Sequence, residues 1–216
     1  MGQYVVIGLG NFGFNAAVSL AAKGNEVLVI DNNAKRIEKI KDLVTEAIIA
    51  DATEKEVLKE FIQPGIDAVI VNLGDSIESS ALTTLYLKEL GVRQIIVKTL
   101  EEIHGTILSK IGATEIINPE KDTAQRLAEK LTSPNMIENI PLMTDYNIVE
   151  IALPDKFAGK TLKELQLRKK YNIEVIAVKD ILMNITTMIP DGEFKLLPDS
   201  ILVVLSMKKD LEKLRF

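Results

Sequence analysis

Six short apolar runs recur at a nearly fixed interval, at Tyr4 to Ile7, Val27 to Ile30, Ala47 to Ala50, Ala68 to Val71, Gln94 to Val97 and Glu115 to Ile117. Each is too short for a helix and rich in Val and Ile. The runs are apolar at nearly every position and not at alternate ones, so they read as strands buried on both faces, as in a parallel sheet covered by helices. Helical stretches lie between them, and several stop at glycine (Lys23-Gly24, Leu90-Gly91, Ile111-Gly112), where a left-handed residue ends a helix at little cost. Strand, helix, glycine, strand is the pattern of a doubly wound α/β domain, expected over residues 1–133.

The pattern then changes. A helical stretch at Lys121 to Leu131 ends in Thr132-Ser133-Pro134-Asn135, and Pro141 keeps a long helix from resuming, so residues 134–146 are expected to form a hinge. Strands at Asn147 to Leu153, Glu174 to Val178 and Ile201 to Ser206, one helix at Leu162 to Lys170, and turns at Pro190-Asp191-Gly192 and Pro198-Asp199 predict a small α+β domain over 147–216. With 216 residues and 47% hydrophobic content, the chain can bury one generous core or two smaller ones.

Gly8, Gly10 and Gly13 form G-x-G-x-x-G directly after the first expected strand and at the opening of the first helix. In a Rossmann-like fold the first permits a tight turn, the second lets backbone approach a pyrophosphate, and the third lets helix pack on strand. The second strand ends at Asp31, where a carboxylate can accept bonds from both hydroxyls of a ribose. An acid there repels a 2′-phosphate, which favours NAD(H) or an adenosine nucleotide over NADP. Three further strands end in Asp51, Asn72 and Lys98, all facing the crevice beyond the carboxyl ends. Together they suggest an adenine or ribose contact, a floor residue and a phosphate-facing cation. Each also has a plainer reading: Asp51 as a helix cap, Asn72 as a turn residue, Lys98 as a solvated strand end.

Catalytic equipment is not evident. The single histidine, His104, falls early in an amphipathic helix, and the second domain has no His and no clustered carboxylates. Zero cysteines remove disulfides and thiolate nucleophiles and fit a reducing compartment. The net charge of −5, with no basic tract, argues against a nucleic-acid partner. With no leader pattern and no long apolar run, the expected location is cytoplasmic. A protein that holds a nucleotide without a reacting group reads as a sensor and not an enzyme. The rivals are an NAD-dependent oxidoreductase and a nucleotide-responsive adaptor of some other transporter.

The stretches "VVIGLGNFGFNAAVSLAAKGNEVLVID", "IIADATEKEVL", "DSIESSALTTLYLKELG" and "KIGATEIINPEKD" closely resemble the RCK (regulator of conductance of potassium) domain. More closely, the chain resembles the regulatory subunits of Ktr/Trk potassium-uptake systems, the KtrA/TrkA type. "IVEIALPDKFAGKTLKELQLRKKYNIEVIAVK" resembles their small C-terminal domain, TrkA-C or RCK-C. The resemblance implies a homodimer that assembles into an octameric ring, peripheral at the inner face of the membrane on a potassium-translocating KtrB/TrkH-like partner. It implies ATP, ADP or NAD(H) at the glycine motif, switching the ring and so gating ion flux. By similarity Gly8, Gly10, Asn11, Phe12 and Gly13 match the phosphate turn, Asp31 and Asn33 the ribose end, Asp51 and Ala52 the adenine side, and Asn72 the floor. Lys98 matches the phosphate side, and Glu120 a carboxylate that helps hold a divalent or monovalent cation near the terminal phosphates. Asn11 stands where many members carry Arg, which removes a charge-assisted phosphate contact worth about 1.5–3 kcal/mol. Arg168 matches a residue of a cyclic di-AMP pocket in some relatives; its plainer reading is an exposed helix end.

Overall fold

The computed structural model describes residues 1–74, 76–132, 136–142 and 145–211, and the chain divides into two compact units, Met1–Asp122 and Thr123–Phe216. The first runs β1 (Gln3–Ile7), α1 (Asn11–Ala22), β2 (Glu26–Asp31), α2 (Ala34–Ile40), β3 (Glu46–Ile49), α3 (Lys55–Phe61), β4 (Ala68–Val71), α4 (Ile77–Glu89), β5 (Ile95–Lys98), α5 (Glu102–Ile111), β6 (Glu115–Ile117) and α6 (Pro119–Thr132). The division between units falls inside α6, ahead of the expected boundary at 133.

All six strands are parallel, in the order β3-β2-β1-β4-β5-β6. Successive side chains of a strand point to opposite faces. In β1, Val5 and Ile7 therefore join one buried cluster with Ile30, Leu58, Val71 and Val97, while Val6 joins another with Val27, Val29, Ile37 and Ile40. Each such side chain contributes about 1.5–3 kcal/mol on burial. The strand order reverses where β1 pairs with β2 on one side and β4 on the other, which opens a crevice at their carboxyl ends.

The second unit contains β7 (Met136–Pro141), β8 (Tyr146–Ala152), a 3-10 turn (Asp155–Phe157), α7 (Leu162–Leu165), α8 (Leu167–Tyr171), β9 (Ile173–Asp180), β10 (Ile185–Met188), β11 (Ser200–Met207) and α9 (Lys208–Leu211). Its five strands form an antiparallel sheet, β10-β9-β11-β8-β7. Val149 and Ile151 of β8 and Leu202 and Val204 of β11 pack with Phe157, Leu165 and Leu167.

Three features depart from expectation. The segment expected as a hinge carries β7, an edge strand antiparallel to β8; residues 133–135, 143 and 144 of that region lie outside the described residues. Pro141 is its last residue, and a strand at the edge of a sheet tolerates a missing N–H that a central strand would not. The helix expected at Leu162 to Lys170 is broken into α7 and α8 by Gln166, which is left-handed at φ 49°. The third is β10, a short strand with three of its four residues exposed, whose sequence shows no alternation.

Candidate functional site

The crevice beyond the carboxyl ends of the parallel strands has a volume of about 510 Å3. Gly8, Gly10, Asn11, Phe12, Asp31, Asp51, Ala52, Asn72, Lys98 and Glu120 all line it. Gly8 has φ +90°, and a Cβ there would be driven into the carbonyl oxygen of Asn72, so the turn demands glycine. At Gly13 a Cβ would collide with the carbonyl oxygen of Gly8, so this position serves close packing of α1 and does not line the crevice. Gly10 is the N-cap of α1, and the first-turn N–H groups that follow have no intrahelical partner. An anionic group beside them meets main-chain donors and the positive end of the helix dipole.

The turn is braced from below. Asn72 is buried, and its Nδ2 donates to the Gly8 carbonyl at 3.1 Å. Asp31 has a side chain only 3% exposed. Its Oδ2 accepts the Leu9 N–H at 2.6 Å, and its Oδ1 accepts the Asn33 N–H at 2.8 Å. Much of the carboxylate that sequence assigns to a ribose is thus engaged with the protein's own main chain. Arg36 Nη1 lies 3.4 Å from Asp31 Oδ2, and Arg36 and Asn32 both line the crevice. Asn33 does not: its side chain caps α2 by accepting the Lys35 N–H at 3.0 Å. The reason is local, since a residue just before a helix is spent on that helix's free donors.

At the β3 end, Asp51 is exposed and its Oδ1 accepts from the N–H and hydroxyl of Thr53, at 2.9 and 2.7 Å. That turn leads into α3, whose N-cap is Glu54. At the β5 end, Lys98 Nζ sits 2.6 Å from Glu120 Oε1. The Lys98 side chain is 14% exposed and that of Glu120 58%. The hydrogen bond from Lys98 holds the Glu120 carboxyl below the ordinary glutamate range. The two residues expected on the phosphate side are therefore paired with each other. His104 lies on α5 outside this crevice, with Nε2 3.4 Å from Glu101 Oε2.

A TrkA-N domain family model matches residues 4–119, and a TrkA-C domain model matches residues 148–215. Ktr system potassium uptake protein C of Bacillus subtilis (strain 168) is 40% identical over 177 residues, covering 82% of this chain and 80% of its own length. Ktr system potassium uptake protein A of the same organism is 36% identical over 214 residues, covering 98% and 94%. The chain belongs to the RCK regulatory subunits of Ktr/Trk potassium-uptake systems. Among solved structures, the GsuK channel bound to NAD covers 97% of this RCK subunit with a TM-score of 0.62 at 20% identity. The subunit spans 38% of that channel chain.

In this RCK subunit Asn11 is exposed at the first position of α1, and its carbonyl accepts Asn15 Nδ2 at 2.7 Å. The TrkA-C unit has its own crevice, of about 420 Å3, between the α7–α8 segment and β9. Arg168 lies on its rim with a side chain 84% exposed and Nε 3.2 Å from Glu174 Oε2. Sequence reasoning missed Arg36 and Asn32, which line the glycine crevice. A basic residue five positions after the strand-ending acid was the available signal for Arg36, because it falls within the first turn of α2.

Proposed function

We propose that the TrkA-N unit of this RCK subunit is a sensor of adenine nucleotides, and that the occupant's phosphate end sets the state of a potassium-translocating membrane partner. The observation that carries this reading is the Lys98–Glu120 pair standing in the same crevice as the glycine turn. ATP, ADP and NAD(H) share an adenosine and a diphosphate and differ beyond it, where this pair lies. A phosphate arriving there competes with Glu120 for Lys98. A displaced Glu120 is then able to face a cation beside the phosphates. Among the described residues no group of three or more His, Asp or Glu could hold a metal by itself, so such a cation needs phosphate oxygens to complete its shell.

The switching free energy in this account is the difference in nucleotide affinity between two assembly geometries, since a ligand bound equally by both shifts nothing. The assembly is a homodimer built up to an octameric ring on a KtrB/TrkH-like subunit, placing the protein at the inner face of the membrane. The crevice at Arg168 is the place for a second ligand, cyclic di-AMP, and loss of cyclic di-AMP binding in Arg168→Ala tests that assignment.

Calorimetry with ATP, ADP and NADH, with and without Mg2+, tests the central reading on the wild type and Glu120→Gln. The wild type should bind all three and discriminate between ATP and ADP in a cation-dependent way, and Glu120→Gln should lose that dependence. Absence of heat and of thermal protection with every ligand would remove the nucleotide reading; an unchanged ATP/ADP ratio in Glu120→Gln would remove Glu120 from it.

A further inference from the structure

We infer that Thr83, a buried residue of α4 outside the crevice wall, is the positioning residue behind a choice of adenine over guanine. The inference rests on the nucleotide reading above and concerns what selects the base. Thr83 Oγ1 donates to the Ala52 carbonyl oxygen at 3.0 Å. A hydroxyl in the middle of a helix commonly turns back to a carbonyl of its own helix. This one leaves α4 for the turn between β3 and α3, at the crevice end where Asp51 and Ala52 stand. Ser79, one turn before Thr83 on α4, lines the crevice, so the helix that carries the brace also borders the ligand.

The Ala52 carbonyl and the Thr53 N–H belong to one planar peptide unit. Thr83 holds its carbonyl end. Asp51 Oδ1 accepts from its N–H end at 2.9 Å, and from the Thr53 hydroxyl at 2.7 Å. The run from hydroxyl through peptide to carboxylate fixes where the Asp51 carboxylate stands, and among the described residues no donor meets its second oxygen, Oδ2. An ionised carboxylate only accepts hydrogen bonds. Adenine offers it a 6-amino group, whereas guanine has a carbonyl oxygen at that place and its amino group at position 2. A carboxylate pinned at one spot accepts from the first base and repels the second. One able to swing reaches the amino group of either.

The test is calorimetry with ADP and GDP on the full chain, as wild type, Thr83→Val, Thr83→Ser and Asp51→Ala, with Thr83→Val repeated in the Asp51→Ala background. The wild type should prefer ADP by about tenfold or more, the scale of a hydrogen bond to a charged group. Thr83→Val should cut that preference about fivefold or more, chiefly by weakening ADP, and Thr83→Ser, which keeps the hydroxyl, should retain it. In Asp51→Ala the preference should already be low, and adding Thr83→Val should leave it there, because the effect runs through that carboxylate. Melting of the unliganded variants reports the fold. Should Thr83→Val not fold, Thr83→Cys, with a weak S–H donor at the same place, carries the same prediction. Equal loss of both nucleotides in Thr83→Val, or the same drop in preference with and without Asp51, marks a merely structural hydroxyl and overturns the inference. A wild type that binds ADP and GDP alike sinks this inference alone; silence from both sinks the nucleotide reading with it.

Discussion

Single residues in this protein combine a part in the fold with a place at the glycine crevice. Asp31 shows this most plainly, being the expected ribose anchor and also the clamp on the Leu9 and Asn33 amides. Lys98 and Glu120 show it in electrostatic form. Because Lys98 donates to Glu120, the carboxyl titrates lower in the folded protein than its ordinary value of 4.5. A lowered folded value means the pair's contribution is complete above the unfolded pKa and is lost as pH falls through the folded one. An NMR titration of the Glu120 carboxyl in the unliganded protein should therefore give a midpoint below 4.5 that returns toward it in Lys98→Ala; a wild-type midpoint at or above 4.5 would contradict the pairing. The Glu120 side chain is more than half exposed, so salt should weaken the effect. Gly8, Asp31, Asn72 and Lys98 were legible as crevice-lining positions, and Gly13 as a packing position, because each stands at a fixed offset from a strand end. Their division of labour was not, because spacing does not say which lone pair a main-chain amide takes.

At the scale of elements, helix ends decide most of what sequence could and could not foresee. The residue Asn33 looks like a ligand contact by position, yet it sits one residue before α2 and caps it. A parallel case is Thr161, which begins α7 with a reciprocal box: its side chain accepts the Glu164 N–H while the Glu164 carboxylate accepts the Thr161 N–H. That second bond holds the Glu164 carboxyl below its ordinary range. Replacing Thr161 with Ala should lower the thermal midpoint of the TrkA-C unit by roughly 4–8 °C, from a typical cap loss in a domain of this size. Circular dichroism or calorimetric melting would show it, and an unchanged midpoint would mean that α7 is held by Leu165 packing alone. The strand β7 went unread because Pro134 precedes it and Pro141 ends it, and proline within a run counts against a strand unless that strand lies at a sheet edge, as this one does.

For the molecule as a whole, two compact units with separate apolar clusters imply two partly independent melting events. A ligand of the glycine crevice should raise only the transition belonging to Met1–Asp122, by about 2.7 kcal/mol at a hundredfold excess over Kd. Differential scanning calorimetry with and without ADP checks this, and an equal shift of both transitions would show that the units unfold as one. No helix among the described residues is long and apolar enough to cross a membrane. The sequence by itself determined the doubly wound class, the glycine turn and the family, because buried strands, tight turns and close helix packing each demand particular residue types at particular spacings. Only the tertiary structure decided that Lys98 meets Glu120 across 22 positions, that Arg36 shares Asp31 with the turn, and that a presumed hinge is a strand. Those outcomes depend on which donors and acceptors folding brings within about 3 Å of one another, and no local pattern along a chain records that.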